Sequence, residues 1–331
     1  MATNRRVGAG AFGYDEVKYW GRFPAGCEFC DVPDVAIDSQ NRVYALSRGE
    51  TPVLVFDSTG NFVRAWGKGI IKRPHGIFIG PDDSVYCADD VGHALHKFTA
   101  DGKLLMSINP GGRPSETGYE WGKPETIARA AGPFNFPTAV ALSSEGEIYV
   151  ADGYGNARVH KFSPDGRLLF SWGEPGEGPG QFINPHGLLV DDGGRVYVCD
   201  RFNARIQIFD SAGKFITQWQ DFRWPDKMCT DRDGNLYIVE LGFVFLKGPK
   251  PIPGRSAAAR VTVRNRDGET MTEWEEIDSS RDGRFFAPHG IAIDSKGDLY
   301  VSEVPVTYCG GTAPSDWPIL RKYIRRSNVM Q

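Results

Sequence analysis

Three of the six histidines stand in the same tripeptide: Pro74-His75-Gly76, Pro185-His186-Gly187 and Pro288-His289-Gly290. Each runs into a short apolar stretch, Ile77-Phe78-Ile79, Leu188-Leu189-Val190 and Ile291-Ala292-Ile293, that reads as a strand. Neutral imidazole is a zinc ligand, and three protein ligands that leave a fourth position for water or substrate make a catalytic site, whereas four-ligand sites are structural. One histidine beside a turn usually satisfies a backbone group. Three at one equivalent position suit a single ion, provided that the elements carrying them converge.

Those elements come from a repeat of about forty residues, a period typical of propellers and solenoids. Its unit is a proline, an apolar strand, an acidic Gly/Asn turn, a Tyr-containing strand ending in Asp or Glu, a loop, a third strand, a Gly turn and a fourth strand. Copies begin at Pro33, Pro74, Pro137, Pro185, Pro225 and Pro288, and the sixth ends without its fourth strand. The missing piece stands at the other end, where Lys18-Tyr19-Trp20-Gly21 matches Arg64-Ala65-Trp66-Gly67 and Phe170-Ser171-Trp172-Gly173. The sequence therefore predicts an all-β, six-bladed β-propeller as one domain over 1–331, with the segment 12–22 completing the blade formed by 286–326. The residues after the six prolines are Asp34, His75, Thr138, His186, Asp226 and His289, so the histidines occupy alternate blades about 120° apart and point at one axis.

Composition fits this reading. Forty glycines and twenty-two prolines recur between apolar segments as turn punctuation. A net charge of −4 with mixed signs gives no nucleic-acid or membrane footprint, so a small-molecule partner is expected. Met1 to Arg6 runs into Gly-rich sequence without an apolar core, which predicts a cytoplasmic protein without a signal peptide. Six cysteines in a chain of this length do not suggest a disulfide framework. Cys87, Cys199 and Cys229 fall in strand patterns and read as buried small hydrophobes, while Cys27-Glu28-Phe29-Cys30 reads as an inert or locally bridged pair. His93, His96 and His160 read as ordinary outer positions.

The long insertions, Asn109 to Gly132, Gly242 to Arg260 and Pro305 to Pro318, all fall on the blade face where the first strands enter. Loops on a rigid scaffold commonly carry function. The positions just after the second strands hold Arg48, Asp90, Gly153, Arg201, Leu241 and Val304, with Tyr154 following Gly153. Arg48, Arg201 and Tyr154 should thus face the same mouth as the histidines. Two guanidiniums beside a dication suit an anionic substrate, and a tyrosine there is a candidate general base.

The repeat resembles the NHL-repeat family, through Val150-Ala151-Asp152-Gly153-Tyr154-Gly155-Asn156-Ala157-Arg158 against Val198-Cys199-Asp200-Arg201-Phe202-Asn203-Ala204-Arg205. The three tripeptides, Ser47-Arg48-Gly49, Asp152-Gly153-Tyr154 and Asp200-Arg201 are similar to the lyase domain of peptidylglycine α-amidating enzymes. That family is a six-bladed propeller with a tris-histidine zinc, and it cleaves a peptidyl-α-hydroxyglycine to a peptide amide and glyoxylate. The resemblance implies zinc on His75, His186 and His289, Tyr154 as catalytic base, and Arg48 and Arg201 orienting the substrate. Gly290 stands where the family has an aspartate for a structural calcium, so no calcium is expected here. Gly155 and Ala287 replace a family cysteine and methionine. The expected activity is a zinc-dependent lyase breaking a C–N or related bond at a hydroxylated carbon of a small, anionic substrate. The alternatives are a zinc hydrolase that activates water against an ester, lactone or amide, and a non-enzymatic NHL interaction scaffold.

Overall fold

The computed structural model describes residues 5–17, 20–24, 30–109, 111–242, 258–275, 285–308 and 317–326. The chain forms two compact units, one of Trp66–Asp226 and one of Met1–Ala65 with Lys227–Gln331. In the first, three antiparallel sheets follow chain order. Blade two is Pro74–Ile79, Val85–Asp89, Ala94–Phe98 and Leu104–Ile108; blade three is Pro137–Leu142, Ile148–Asp152, Arg158–Phe162 and Leu168–Trp172; blade four is Pro185–Val190, Val196–Asp200, Arg205–Phe209 and Phe215–Trp219.

The second unit carries blade one, from Val35–Ile37 to the strand Phe62–Trp66, and most of blade five, from the strand Pro225–Thr230 to Thr270–Glu275. Blade six pairs Pro288–Ile293, Leu299–Glu303 and Leu320–Arg325 with the N-terminal strand Tyr14–Val17, in the register Tyr14↔Arg325 to Val17↔Lys322. The fold is thus the six-bladed β-propeller that the repeat predicts, its last blade closed by the N-terminal strand. A short outer strand, Arg6–Val7, extends that sheet beyond the four strands expected. A one-turn helix, Pro305–Tyr308, interrupts the all-β pattern.

The repeat's residue types have visible jobs. Four second-strand tyrosines reach the aspartate opening the preceding turn: Tyr44 to Asp38, Tyr197 to Asp191, Tyr237 to Asp231 and Tyr300 to Asp294, at 3.2 to 3.4 Å. The same aspartates accept turn N–H groups, as Asp38 does from Gln40 and Arg42, which fixes the hairpins. Second strands are buried throughout, whereas fourth strands are partly exposed. Trp20 shows why the N-terminal segment stays docked. It is buried against Tyr300 at 4.9 Å and Phe56 at 6.0 Å between ring centroids. Burying an aromatic side chain of this size contributes about 1.5–3 kcal/mol. Cys87 and Cys199 are buried as expected, but Cys229 is only partly so; Cys30 lies 3.0 Å from the Ser47 hydroxyl, and Cys27 falls outside the described residues.

Candidate active site

In blades two, three, four and six the acidic residue ending the second strand anchors the segment leading into a first strand. The Asp89 carboxylate accepts the N–H groups of Lys72 (2.8 Å) and Arg73 (2.9 Å), immediately before Pro74-His75. Asp152 holds the Asn135 N–H, Asp200 that of Ile183, and Glu303 those of Phe286 and Ala287. The third strand braces each acid in turn. His96 Nε2 lies 3.7 Å from Asp89, His160 Nε2 3.2 Å from Asp152, and Arg205 Nε 2.8 Å from Asp200. His96 and His160 are therefore structural braces. Burial pushes the Asp89 carboxyl up, yet His96 and the three backbone N–H groups outweigh it and leave it below the ordinary range. Asp200 goes the other way: its burial prevails over Asn203 and Arg205, pushing it up to about 6.

The candidate ligands sit on irregularities in the ladder. Pro74 pairs with Asp89 and Gly76 with Ala88, so His75 is the extra residue of a β-bulge. Register shifts in the same place at His186 and His289. Such a bulge turns its side chain out of the strand's alternation. Each ring is then fixed through Nδ1: His75 to the Thr138 carbonyl at 2.7 Å, His186 to the Asp226 carbonyl at 3.0 Å, and His289, in the other unit, to the Pro33 carbonyl at 2.6 Å. A carbonyl only accepts, so Nδ1 carries the proton and the neutral ring presents a lone pair at Nε2. That is the tautomer required for metal ligation through Nε2. Gly76 permits the close approach, since a Cβ there would stand 2.5 Å from the Thr138 oxygen. Within Trp66–Asp226, His75 and His186 are candidate metal ligands, and His289 presents the same tautomer in its own unit.

Within the unit Trp66–Asp226, His75 and His186 stand together, with ring centroids 4.8 Å apart. Tyr154 joins them. Its hydroxyl lies 2.8 Å from His75 Nε2 and 3.3 Å from His186 Nε2, so one phenol proton faces two nitrogen acceptors. Its backbone N–H donates to the Phe136 carbonyl at 3.4 Å. Arg201 begins a 3-10 turn, Arg201–Asn203, and is buried, with Nε 2.5 Å from Asp226 Oδ1. The same carboxylate oxygen is 3.7 Å from His186 Nδ1, which ties Arg201 to the histidine site. Burial pushes Asp226 up to about 7, although Arg201 draws it down. Arg48 lies in the other unit, where its Nη1 donates to Thr307 (2.7 Å) and to Asp31 (3.3 Å). Asp31 also accepts the Val306 N–H at 2.7 Å, pinning the helix Pro305–Tyr308.

Sequence reasoning did not assign Asp226 to Arg201, although Asp226 appears in the ring of residues that follow the prolines. It also missed the aromatic group at Phe136, Tyr119 and Trp121, where no repeat position gives a signal. At the family's calcium position the residues do not fit: a Cβ on Gly290 would meet Ser302 Oγ at 2.5 Å and Asp34 Cα at 2.6 Å. The Asp34 carboxylate instead faces Lys227 Nζ at 2.6 Å. The insertions 243–257 and 309–316 lie outside the described residues.

A six-bladed propeller with histidines and a tyrosine gathered at the first-strand entries defines the class. Segments 134–162 and 182–209 match the NHL repeat. The chain is 34% identical over 308 residues to human NHL repeat-containing protein 3, covering 86% of this chain and 80% of that protein, and it belongs to the NHL-repeat-containing family. It is also 31% identical over 289 residues to the Drosophila melanogaster peptidyl-α-hydroxyglycine α-amidating lyase 1, covering 81% of this chain but half of that protein's length. Among solved structures, a streptogramin B lyase shares the fold at a TM-score of 0.58 and 13% identity, over 96% of this chain and 87% of that one.

Proposed function

We propose that this protein is a metal-dependent lyase, with His75, His186 and His289 holding one divalent ion and Tyr154 serving as general base. The observation that carries the reading is the placement of the Tyr154 hydroxyl 2.8 and 3.3 Å from the Nε2 atoms of His75 and His186. Three imidazoles of one tautomer suit zinc. When bound, the ion would supply stabilisation of negative charge developing on an adjacent oxygen. The kinship with an amidating lyase supports a substrate in which a hydroxyl and an acylated nitrogen share one carbon.

On such an N-acyl-α-hydroxyglycine, Tyr154 removes the hydroxyl proton and the O–H electron pair becomes the new C=O bond. The C–N bond breaks, its pair goes to nitrogen, and the proton held by Tyr154 returns there. An amide and glyoxylate result, with no oxidant or reductant. Arg201 and Arg48 orient the substrate carboxylate. Each also faces a protein carboxylate, Asp226 and Asp31, which holds the guanidinium in place for its further N–H donors to act.

The test is glyoxylate release from N-benzoyl-α-hydroxyglycine by purified protein, with metal content measured on the same sample. About one zinc per chain is expected, lost in His186→Ala. Tyr154→Phe should keep fold and metal while kcat falls about 10²–10⁴-fold, the usual range for a lost general base. Undiminished turnover by Tyr154→Phe would remove the phenol from the mechanism. Wild-type metal content in His186→Ala would remove the ligand set.

A further inference from the structure

Beside Tyr154 lies an aromatic group that the reaction does not use. Trp121, on the insertion between blades two and three, is 61% exposed, the most exposed of the large apolar side chains among the described residues. Its ring lies 5.0 Å from that of Phe136, tilted by 57°, and the Arg73 guanidinium lies 5.0 Å over it. Tyr119 and His93 complete the group around Phe136, at 5.7 and 4.4 Å. Both supports belong to the active-site segments. Arg73 immediately precedes Pro74-His75, and the Phe136 carbonyl accepts the Tyr154 N–H. Phe136 holds a φ of 60°, a conformation uncommon for a bulky residue, with its N–H fixed on His93 Nδ1 at 3.1 Å.

Charge decides what such a shelf can take. Asp90 grips Arg73 through two bonds, 2.8 Å at Nε and 2.6 Å at Nη2, so the guanidinium is neutralised in place. It serves as a flat support for the indole, with its Nε and Nη2 donors already taken by Asp90. An exposed aromatic ring held rigid by a neutralised cation suits a neutral, apolar group.

We infer that Trp121, supported by Phe136 and Arg73, is the specificity subsite for the acyl part of the substrate and selects an aromatic or long aliphatic group next to the scissile amide nitrogen. This rests on the lyase reading for the identity of the substrate, but it can be tested without turnover. Calorimetry compares N-benzoylglycine and N-acetylglycine, unreactive analogues, on the wild type, Trp121→Ala and Trp121→Phe. The benzoyl compound should bind the wild type about tenfold tighter than the acetyl compound, the scale of an aromatic contact plus its buried area. That preference should collapse to within about twofold in Trp121→Ala, return in part in Trp121→Phe, and leave N-acetylglycine binding unchanged in all three. A preference that survives in Trp121→Ala overturns the subsite. So does a wild type that binds both compounds equally or fails to bind the benzoyl compound. Trp121-dependent binding without glyoxylate release would instead keep the subsite and remove the lyase.

Discussion

Replacing Lys227 with methionine probes the centre of the unit that contains it. Lys227 Nζ lies 2.6 Å from Asp34 Oδ2, with the side chains only 11% and 3% exposed. Two unit charges about 3 Å apart at an effective dielectric near 20 attract by roughly 5 kcal/mol before desolvation is counted. Desolvating both groups offsets much of this, so the intact pair contributes little net stability. Removing one partner is different, because Asp34, which also accepts the Val35 N–H at 2.9 Å, then stays buried and loses the Lys227 charge. Breaking a buried pair in this way costs about 3–5 kcal/mol. Urea unfolding of Lys227→Met should show a loss of that size, and adding Asp34→Asn should recover most of it, since no charge is then stranded. Because the ammonium already answers Asp34 and Gly290 supplies no donor, millimolar calcium or a calcium chelator should leave the wild-type midpoint unchanged. A loss under about 1 kcal/mol, or a double variant as unstable as the single one, would refute the argument.

Deleting residues 1–17 removes the strand paired with Leu320–Arg325 and the Glu16 carboxylate, which stands 2.9 Å from buried Arg321. The truncated protein should lose cooperative unfolding or become insoluble, read by urea titration and light scattering. Arg201→Lys keeps a positive charge but loses the planar guanidinium whose Nε faces Asp226, so KM for an α-hydroxyglycine should rise about tenfold or more with metal content unchanged. Burial raises the Asp191 carboxyl, but the Arg195 backbone and guanidinium outweigh it and hold it below the ordinary range. Such a lowered group stabilises the fold above about pH 4, and this contribution is lost as pH falls through the folded-state value. Urea midpoints for Asp191→Asn should therefore depend less steeply on pH between about 5 and 2 than those of the wild type.

How much the sequence reveals depends on whether a residue's role recurs. The blade pattern recurs six times and the acid at the end of the second strand five times, so each copy confirms the others, and the N-terminal closing segment repeats the Trp-Gly ending of the fourth strands. His75, His186 and Tyr154 are legible for the same reason, since they occupy defined repeat positions. The bulges at the histidines are not legible, because a one-residue register shift changes no residue type. Nor are the Thr138, Asp226 and Pro33 acceptors, which act through backbone oxygens that every residue has. Trp121 and Phe136 escape because the insertion from Asn109 to Gly132 has no counterpart in the other copies, so its aromatics have no pattern to stand out from. Arg201 is legible as a residue after a second strand, but its carboxylate partner Asp226, which burial demands for a side chain only 1% exposed, is not.

The backbone acceptors also explain how the ligand positions tolerate such different neighbours. The residue at the histidine-equivalent position is Thr138 in blade three and Asp226 in blade five, and each gives its carbonyl to the histidine of the preceding blade. The ring of the ligand is thus oriented by the next blade's main chain, while that residue's side chain is left for other work. The one Thr138 hydroxyl proton is shared between the Ala151 and Pro185 carbonyls, at 3.2 and 2.9 Å, and Asp226 spends its carboxylate on Arg201. Pro185 immediately precedes His186, so the Thr138 hydroxyl helps set the strand entry from which the next histidine projects. Within Trp66–Asp226, His75, Thr138 and His186 form one chain of positioning contacts through three successive blades. A change in the tilt of one first strand would therefore move a neighbouring blade's histidine.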